Sequence, residues 1–416
     1  MSSHHPTTES STLRPPSTPS ADAGLDGPPA SLDGPHRAAV HEPDRVIAPV
    51  PIPTDQLRHD LAVRDLTDPA AGTHAVQLVL GSVTEALTRA WPVVVRPHRG
   101  HPVVSIADNY DVLGFSTEAV TRDSRYSRYV DADHVLRTHT SALVPGALRT
   151  LARDPHAPDA ALLVCPGVVY RRDAIDRIHT GTPHQVDLWR IDRAPASPLG
   201  VDDLLEMVEL VVGAALPGAV HQVTPSPHPY TLDGMQIDVD VDGTWVEIGE
   251  CGVADPKVLA RCGLDPADVS GLAMGLGLDR LVMVRKGIDD IRLLRSDDPR
   301  VVEQLLTLDR YRAVSSCPAI VRDLSVAVAA GMDDETLGDR VRAALGPAAD
   351  QVEEVQILST TPYDELPDAA RARLGIGPDQ VNVLVRVVLR RLDRALTRAE
   401  ANDLREQIFA TIHEGS

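Results

Sequence analysis

Apolar and polar positions alternate most cleanly at MQIDVDV (235–241) and TWVEIGE (244–250), two runs joined by Asp242-Gly243. Period-two alternation marks half-buried strands, and an Asp-Gly pair between them predicts a β-hairpin with a type I′ turn. ALLVCPGVVYRRD (161–173) and HQVDLWRID (184–192) predict two further strands around a loop at 174–183, because Val, Tyr and Trp are frequent and Gly167 and Gly181 punctuate. Helical spacing takes over elsewhere. THAVQLVLGSVTEALT (73–88) sets Val76, Val79, Val83 and Leu87 on one face. In GHPVVSIADNYDVLGFS (100–116) Val103, Ala107, Tyr110 and Leu113 share a helical face, and Gly114 is placed to end it. SGLAMGLGLDRLVMVRKG (270–287) reads as a Gly-rich strand entering a helix. PKVLARCG (256–263) reads as a short helix, and DDPRVVEQLLTL (297–308) as one capped by Asp297 or Asp298.

Past residue 311 the pattern becomes strand (320–329), helix (334–345), strand (352–358), strand (381–390) and helix (394–412), the last opened by a Thr397-x-x-Glu400 capping box. That order predicts a ferredoxin-like α/β sandwich over 309–416. Residues 1–75, rich in Pro, Ser, Asp and His without sustained period, read as a disordered or loosely attached tail.

A chain of 416 residues with 43% hydrophobic content has room for two or three cores. It contains no apolar run of membrane-spanning length, and its start lacks a secretory pattern, so a cytoplasmic protein without membrane association is expected. Cys165, Cys251, Cys262 and Cys317 form no CxxC pair and read as reduced thiols rather than a metal site. The net charge of −20 opposes a nucleic-acid partner, whose phosphates reward basic surface. With Lys257 and Lys286 as the sole lysines, a local arginine patch would have to do such work.

Candidate chemistry begins at Gly271, Gly275 and Gly277, followed by Arg280. Glycines let a ligand approach the backbone, and a guanidinium offers phosphate a bidentate fork. The run is not a P-loop, since no Lys-Ser/Thr follows, nor does it have dinucleotide-fingerprint spacing. Together with VVYRRDAIDRIHTGTPHQVD (168–187) and RTHTSAL (137–143), it resembles motifs 3 and 2 and the amino-acid-binding segment of class II phenylalanyl-tRNA synthetases. CPAIVRDLSVAV (317–328) and RALT (394–397) are similar to that family's anticodon-binding ferredoxin-fold domain. The fusion resembles the single-chain, mitochondrial type, over residues 76–416.

The resemblance implies an α+β fold: a class II synthetase antiparallel-sheet catalytic domain (76–308) followed by the ferredoxin-like sandwich (309–416). It implies ATP and Mg2+ as cofactors, an amino acid and tRNA as substrates, and a homodimer or monomer. Residues 100–116 would be the long motif 1 helix. Arg171 would meet the α-phosphate and substrate carboxylate, and Arg280 the γ-phosphate. His179, Glu247, Gly275 and Gly277 would complete the ATP site, with Glu247 at the metal and His179 at ATP or the tRNA end. His139, Ser141, Gln185 and Asp187 would hold the ammonium and carboxylate of the amino acid. His228, Tyr230, Ala273 and Gly275 would line its side-chain pocket. Departures concentrate in that pocket, where His228-Pro229-Tyr230-Thr231-Leu232 replaces Phe-Pro-Phe-Thr-Glu. Three functions follow: a phenylalanyl-type synthetase, a paralogue activating a different amino acid for a biosynthetic pathway, or a non-catalytic regulatory relative.

Overall fold

The computed structural model describes residues 50–193, 195 and 197–416. The chain opens with α1 (Thr54–Leu61), α2 (Ala75–Ala90), β1 (Val94–Pro97), β2 (Val103–Ser105) and β3 (His134–Leu136). It continues through α3 (Val144–Arg153), β4 (Ala160–Val168), β5 (His184–Arg193), α4 (Val201–Ala215), β6 (His221–Pro225), β7 (Thr231–Val241) and β8 (Thr244–Ala254). Next come α5 (Pro256–Arg261), β9 (Val269–Gly277), α6 (Leu278–Lys286) and α7 (Pro299–Gln304). The C-terminal part is β10 (Ile320–Ala329), α8 (Asp334–Leu345), β11 (Val352–Pro362), α9 (Asp368–Leu374), β12 (Gln380–Leu389) and α10 (Arg398–Ile412).

A seven-stranded sheet in the order β1-β4-β5-β9-β8-β7-β6 forms the larger part. Its β1–β4 edge pair is parallel and the other pairings are antiparallel. One face packs on α2, α4 and α6, burying Val76, Val79, Val83 and Leu87 of α2 against Leu188, Met274 and Leu276 of the strands. The β7–β8 hairpin turns at Asp242 (φ 52°) and Gly243 (φ 86°), two left-handed residues as a type I′ turn requires. β9 runs straight into α6, which Gly287 ends in the left-handed conformation (φ 66°).

Two expectations are corrected. Residues 100–116 do not form a long helix. Val103–Ser105 pair with β3, and a single π-helical turn over Ala107–Asp111 follows. Pro102 and the β-branched Val103-Val104 favour the extended form. The long helix is α2, one segment earlier, where His74 caps with its Nδ1 accepting from Val76 N–H (3.2 Å) while Nε2 meets the Leu294 carbonyl. The second correction concerns the tail. Residues 1–49 lie outside the described residues, but 50–75 are built into the fold. Ile52 N–H donates to the Tyr129 carbonyl, Leu66 is 1% exposed, and Asp60 ion-pairs with buried Arg128.

The C-terminal sheet has three strands, in the order β10-β12-β11, backed by α8 and α10. It packs on the loop after β4. Ile175 of that loop enters the C-terminal core, and Val355 N–H donates to its carbonyl (2.9 Å). Arg128 joins Asp60 (2.9 Å), Asp339 of α8 (3.0 Å) and the Arg171 carbonyl (2.9 Å).

Candidate active site

The sheet face away from α2, α4 and α6 is assigned by alternation. Val186, Leu188, Ile237, Val239, Cys251, Leu272, Met274 and Leu276 point to the helices. Their neighbours Asp187 and Trp189 of β5, Gly275 and Gly277 of β9, and Asp238 of β7 therefore share the opposite face. On β8 a bulge at Ile248 interrupts the register, Ile237 pairing with Gly249 and Asp238 with Glu247. The extra residue puts Glu247 and Glu250 on the same face, which strict alternation would forbid.

Gly275 pairs with Asp187 on one side and with Glu250 on the other, so one glycine separates two carboxylates. A Cβ at Gly275 would find only the Asp187 Oδ2 within reach, at 3.8 Å, and at Gly277 the nearest atom is 3.8 Å away. The same test gives 2.3 Å at Gly249 and 2.5 Å at Gly252, where neighbours fill the space. Gly275 and Gly277 thus floor an open channel along β9.

Asp187 is 2% exposed. Its Oδ2 accepts from Thr140 Oγ1 (2.7 Å) and Ser141 Oγ (3.1 Å), and its Oδ1 from Trp189 Nε1 (3.2 Å). Burial pushes its carboxyl up to about 6 against these three bonds, and the Glu250 charge adds to the rise. His139, just before the turn Thr140–Leu143, has both ring nitrogens buried without a hydrogen-bond partner among the described residues. Burial, and then the Arg171 charge, hold its ring neutral, down to about 3. The ring stacks on Phe115 at 5.5 Å.

Arg171 lies on the loop after β4. Its Nε donates to the Thr138 carbonyl (2.9 Å), which leaves the two terminal nitrogens of the fork for a ligand. On the same loop Asp176 binds His179 Nδ1 (2.6 Å) and raises the imidazole above its ordinary value, with Arg280 close enough to oppose it. Arg280, in the first turn of α6, donates to the Glu247 carbonyl (3.0 Å). Next to it, buried Asp279 accepts from His184 N–H and His184 Nδ1, both at 2.8 Å. His184 Nε2 accepts from Leu66 N–H (3.0 Å) and meets Arg295 (3.2 Å), so the ring proton sits on Nδ1. This network ties β5 to α6 and fixes where Arg280 starts.

The candidate residues therefore fall into two adjoining groups. His139, Ser141, Arg171, Asp187, His228, Tyr230 and Gly275 gather at one end of the channel. His179, Glu247, Gly277 and Arg280 gather at the other, where Gln185 pairs with Gly277. Ala273 departs from expectation: it is 1% exposed and packs with Trp189 in a core cluster rather than flooring a pocket. Tyr230 stacks on Trp189 (6.4 Å) and on His228 (5.8 Å). His228 Nε2 meets Glu250 Oε1 at 2.9 Å and its Nδ1 meets Thr231 Oγ1 at 3.3 Å. Although burial opposes it, this pairing holds the Glu250 carboxyl below its usual value. Glu250, Trp189, Phe115, Thr140 and the His184–Asp279 pair were not singled out from the sequence. The clue was an isolated Glu between two glycines, Gly249-Glu250-Cys251-Gly252.

Among the described residues no cluster of three or more His, Cys, Asp or Glu side chains forms a metal cage. Glu247 pairs across the hairpin with Asp238, which is buried and accepts from Gln236 Nε2 (2.7 Å), so Glu247 is the carboxylate that would hold Mg2+, an ion that takes one or two carboxylates and shares the rest of its shell with phosphates and water. No helix among the described residues is long and apolar enough to cross a membrane.

The family model for the tRNA synthetases class II core domain (F) matches residues 60–305. The phenylalanine–tRNA ligase alpha subunit of Prochlorococcus marinus (strain MIT 9313) is 35% identical over 58% of this chain and 69% of its own length. That of strain NATL2A is 37% identical over 47% of this chain and 56% of its own. The alpha subunit of Geobacter sulfurreducens is 29% identical over 59% of this chain and 73% of its own. The chain thus spans about half to three quarters of the relatives it matches.

Proposed function

We propose that this chain, which belongs to the class II tRNA synthetases, is a ligase that activates an amino acid with ATP and passes the aminoacyl group to tRNA. In the first step an oxygen of the substrate carboxylate attacks the α-phosphorus, the bond to the β-phosphate oxygen breaks, and pyrophosphate leaves. The observation that carries this reading is the glycine channel with a buried carboxylate and Arg171 at one end and Arg280 at the other. Arg171 orients the substrate carboxylate toward the α-phosphate, and Arg280 takes the γ-phosphate with His179 beside it. Asp187, whose carboxylate has one acceptor position left after three bonds, receives the α-ammonium. Ser141 and the neutral His139 border it, and Gln185 stands at the ATP end. Mg2+, held through Glu247, would neutralise phosphate charge. Such preorganised charges supply most of the gain in phosphoryl chemistry of this kind.

In this reading residues 76–308, with 50–75 built onto them, are the catalytic domain and 309–416 a ferredoxin-like anticodon-binding domain, as in single-chain phenylalanyl enzymes, with the protein cytoplasmic. A second reading has a specific observation in its favour. The contact between His228 Nε2 and Glu250 Oε1 (2.9 Å) stands at the side-chain end of the site, which suits a paralogue that activates an amino acid other than phenylalanine. Amino-acid-dependent ATP–pyrophosphate exchange, followed by charging of total tRNA, tests both. Exchange without charging selects the paralogue, and absence of exchange with every common amino acid rejects both.

A further inference from the structure

The side-chain end of the channel has a chemistry of its own. Toward Ala273 it is closed. Trp189 is fully buried opposite Ala273, and Tyr230 stacks on its indole with ring centroids 6.4 Å apart and planes 26° apart. A third ring between them needs roughly 7 Å, two contacts of about 3.5 Å. Phe115 closes the remaining side, 6.2 Å from Tyr230. A further ring therefore does not fit between Trp189 and Tyr230 as they stand.

Toward Glu250 the channel is open. The Glu250 side chain is 39% exposed while its partner His228 is 9% exposed, so the carboxylate is anchored from behind and faces outward. Ser226 Oγ approaches the same oxygen, Oε1, at 3.5 Å. Glu250 stands two strands from Asp187 with Gly275 between them, so their α-carbons are about 10 Å apart. Both side chains rise from the same sheet face, so a short ligand lying over Gly275 meets a carboxylate on either side. An ionised carboxylate only accepts, so what it receives must donate.

We propose, building on the adenylation reading above, that Glu250 is the specificity determinant of this site, and that its substrate is a short amino acid with a hydrogen-bond donor on its side chain: a hydroxyl, amide or amine. An amino acid with an aromatic ring is excluded by Trp189 and Tyr230. The α-ammonium goes to Asp187 and the side-chain donor to the free edge of Glu250.

The test uses the full chain and matched pairs: serine with alanine, threonine with valine, asparagine with leucine, 2,3-diaminopropionate with 2-aminobutyrate, and tyrosine with phenylalanine. Direct binding is measured by calorimetry and turnover by pyrophosphate exchange. At least one short donor-bearing member should exceed its partner by about 100-fold or more, as expected of a site built to hydrogen-bond its substrate. Glu250→Ala should erase that preference and Glu250→Gln should weaken it, with both variants keeping the wild-type melting temperature. Selective binding without exchange would uphold the inference and remove the adenylation reading. Phenylalanine preferred in both measurements would overturn the inference and leave adenylation standing. Failure of every short donor-bearing amino acid to bind at millimolar concentration would overturn it too, as would a preference untouched by Glu250→Ala.

Discussion

The free site keeps Asp187 hard to ionise, and that should be visible in how amino-acid binding depends on pH. Its carboxyl is pushed up to about 6 from an ordinary 3.8, chiefly by burial. At about 1.4 kcal/mol per unit, charging it in the empty site costs about 3 kcal/mol. An α-ammonium can bind only the ionised form, and its own charge then draws the carboxyl back toward its ordinary range. Affinity should therefore fall about twofold between pH 7.5 and 6 and about tenfold by pH 5, with roughly half a proton released per ligand at pH 6. Titration calorimetry in buffers of different ionisation enthalpy reads both quantities. Omitting ATP keeps His179, raised by Asp176 into the same window, out of the measurement.

The linkage has a consequence for stability with a definite sign. Between pH 3.8 and about 6 the folded chain holds a proton that the unfolded chain has lost. The stability contributed by Asp187 is thus fully present below 3.8 and is lost as pH rises through 6. Asp187→Asn should raise stability at pH 7.5, by up to about 3 kcal/mol, while removing amino-acid binding and its pH dependence. Affinity that stays level from pH 7.5 to 5 would refute the assignment of Asp187 to the ammonium.

Arg171→Ala and Arg280→Ala should each leave the fold intact and lower pyrophosphate exchange by about 2–4 kcal/mol in the transition state, about 30- to 900-fold, measured as kcat/KM. Asp339→Ala should destabilise the chain by about 3–5 kcal/mol, because Arg128 and Asp339 are 4% and 8% exposed at the side chain and the arginine would lose one of its two carboxylates. Thermal unfolding checks this, and a melting temperature equal to wild type would show that Asp60 alone suffices.

Elements fixed by local chemistry were legible in the sequence. The β7–β8 hairpin follows from period-two alternation and an Asp-Gly turn, and the buried face of α2 contains the four residues its spacing selects, with Ala75 beside them. What failed depended on contacts distant in sequence. Residues 50–75 have no period to read, since their order comes from Leu66 N–H on His184, 118 positions away, and from Asp60 on Arg128, 68 away. Residues 100–116 do carry a helical spacing. Pairing with β3 and the preceding proline override it, and only Tyr110 and Leu113 of the four chosen positions are buried.

The site divides along the same line. Arg171, Asp187 and Arg280 could be singled out as candidates because each sits in a short stretch whose residue types already suggest a ligand. Glu250 could not, because its role depends on a single bulge. Counting by twos from Glu247 along β8 puts Gly249 and Cys251 on the ligand face and sends Glu250 toward the helices. The extra residue at Ile248, 2% exposed against the core, reverses that from Gly249 onward. The bulge carries Glu250 onto the floor opposite Asp187, with Gly275 between them. Trp189 was overlooked for a related reason: in sequence it is one more apolar strand residue, and only its pairing with Ala273 and their shared core cluster show that it closes this end of the site. The proposed role of Glu250 thus depends on the register of β8, in which one extra residue decides whether its carboxylate faces the ligand or the helices.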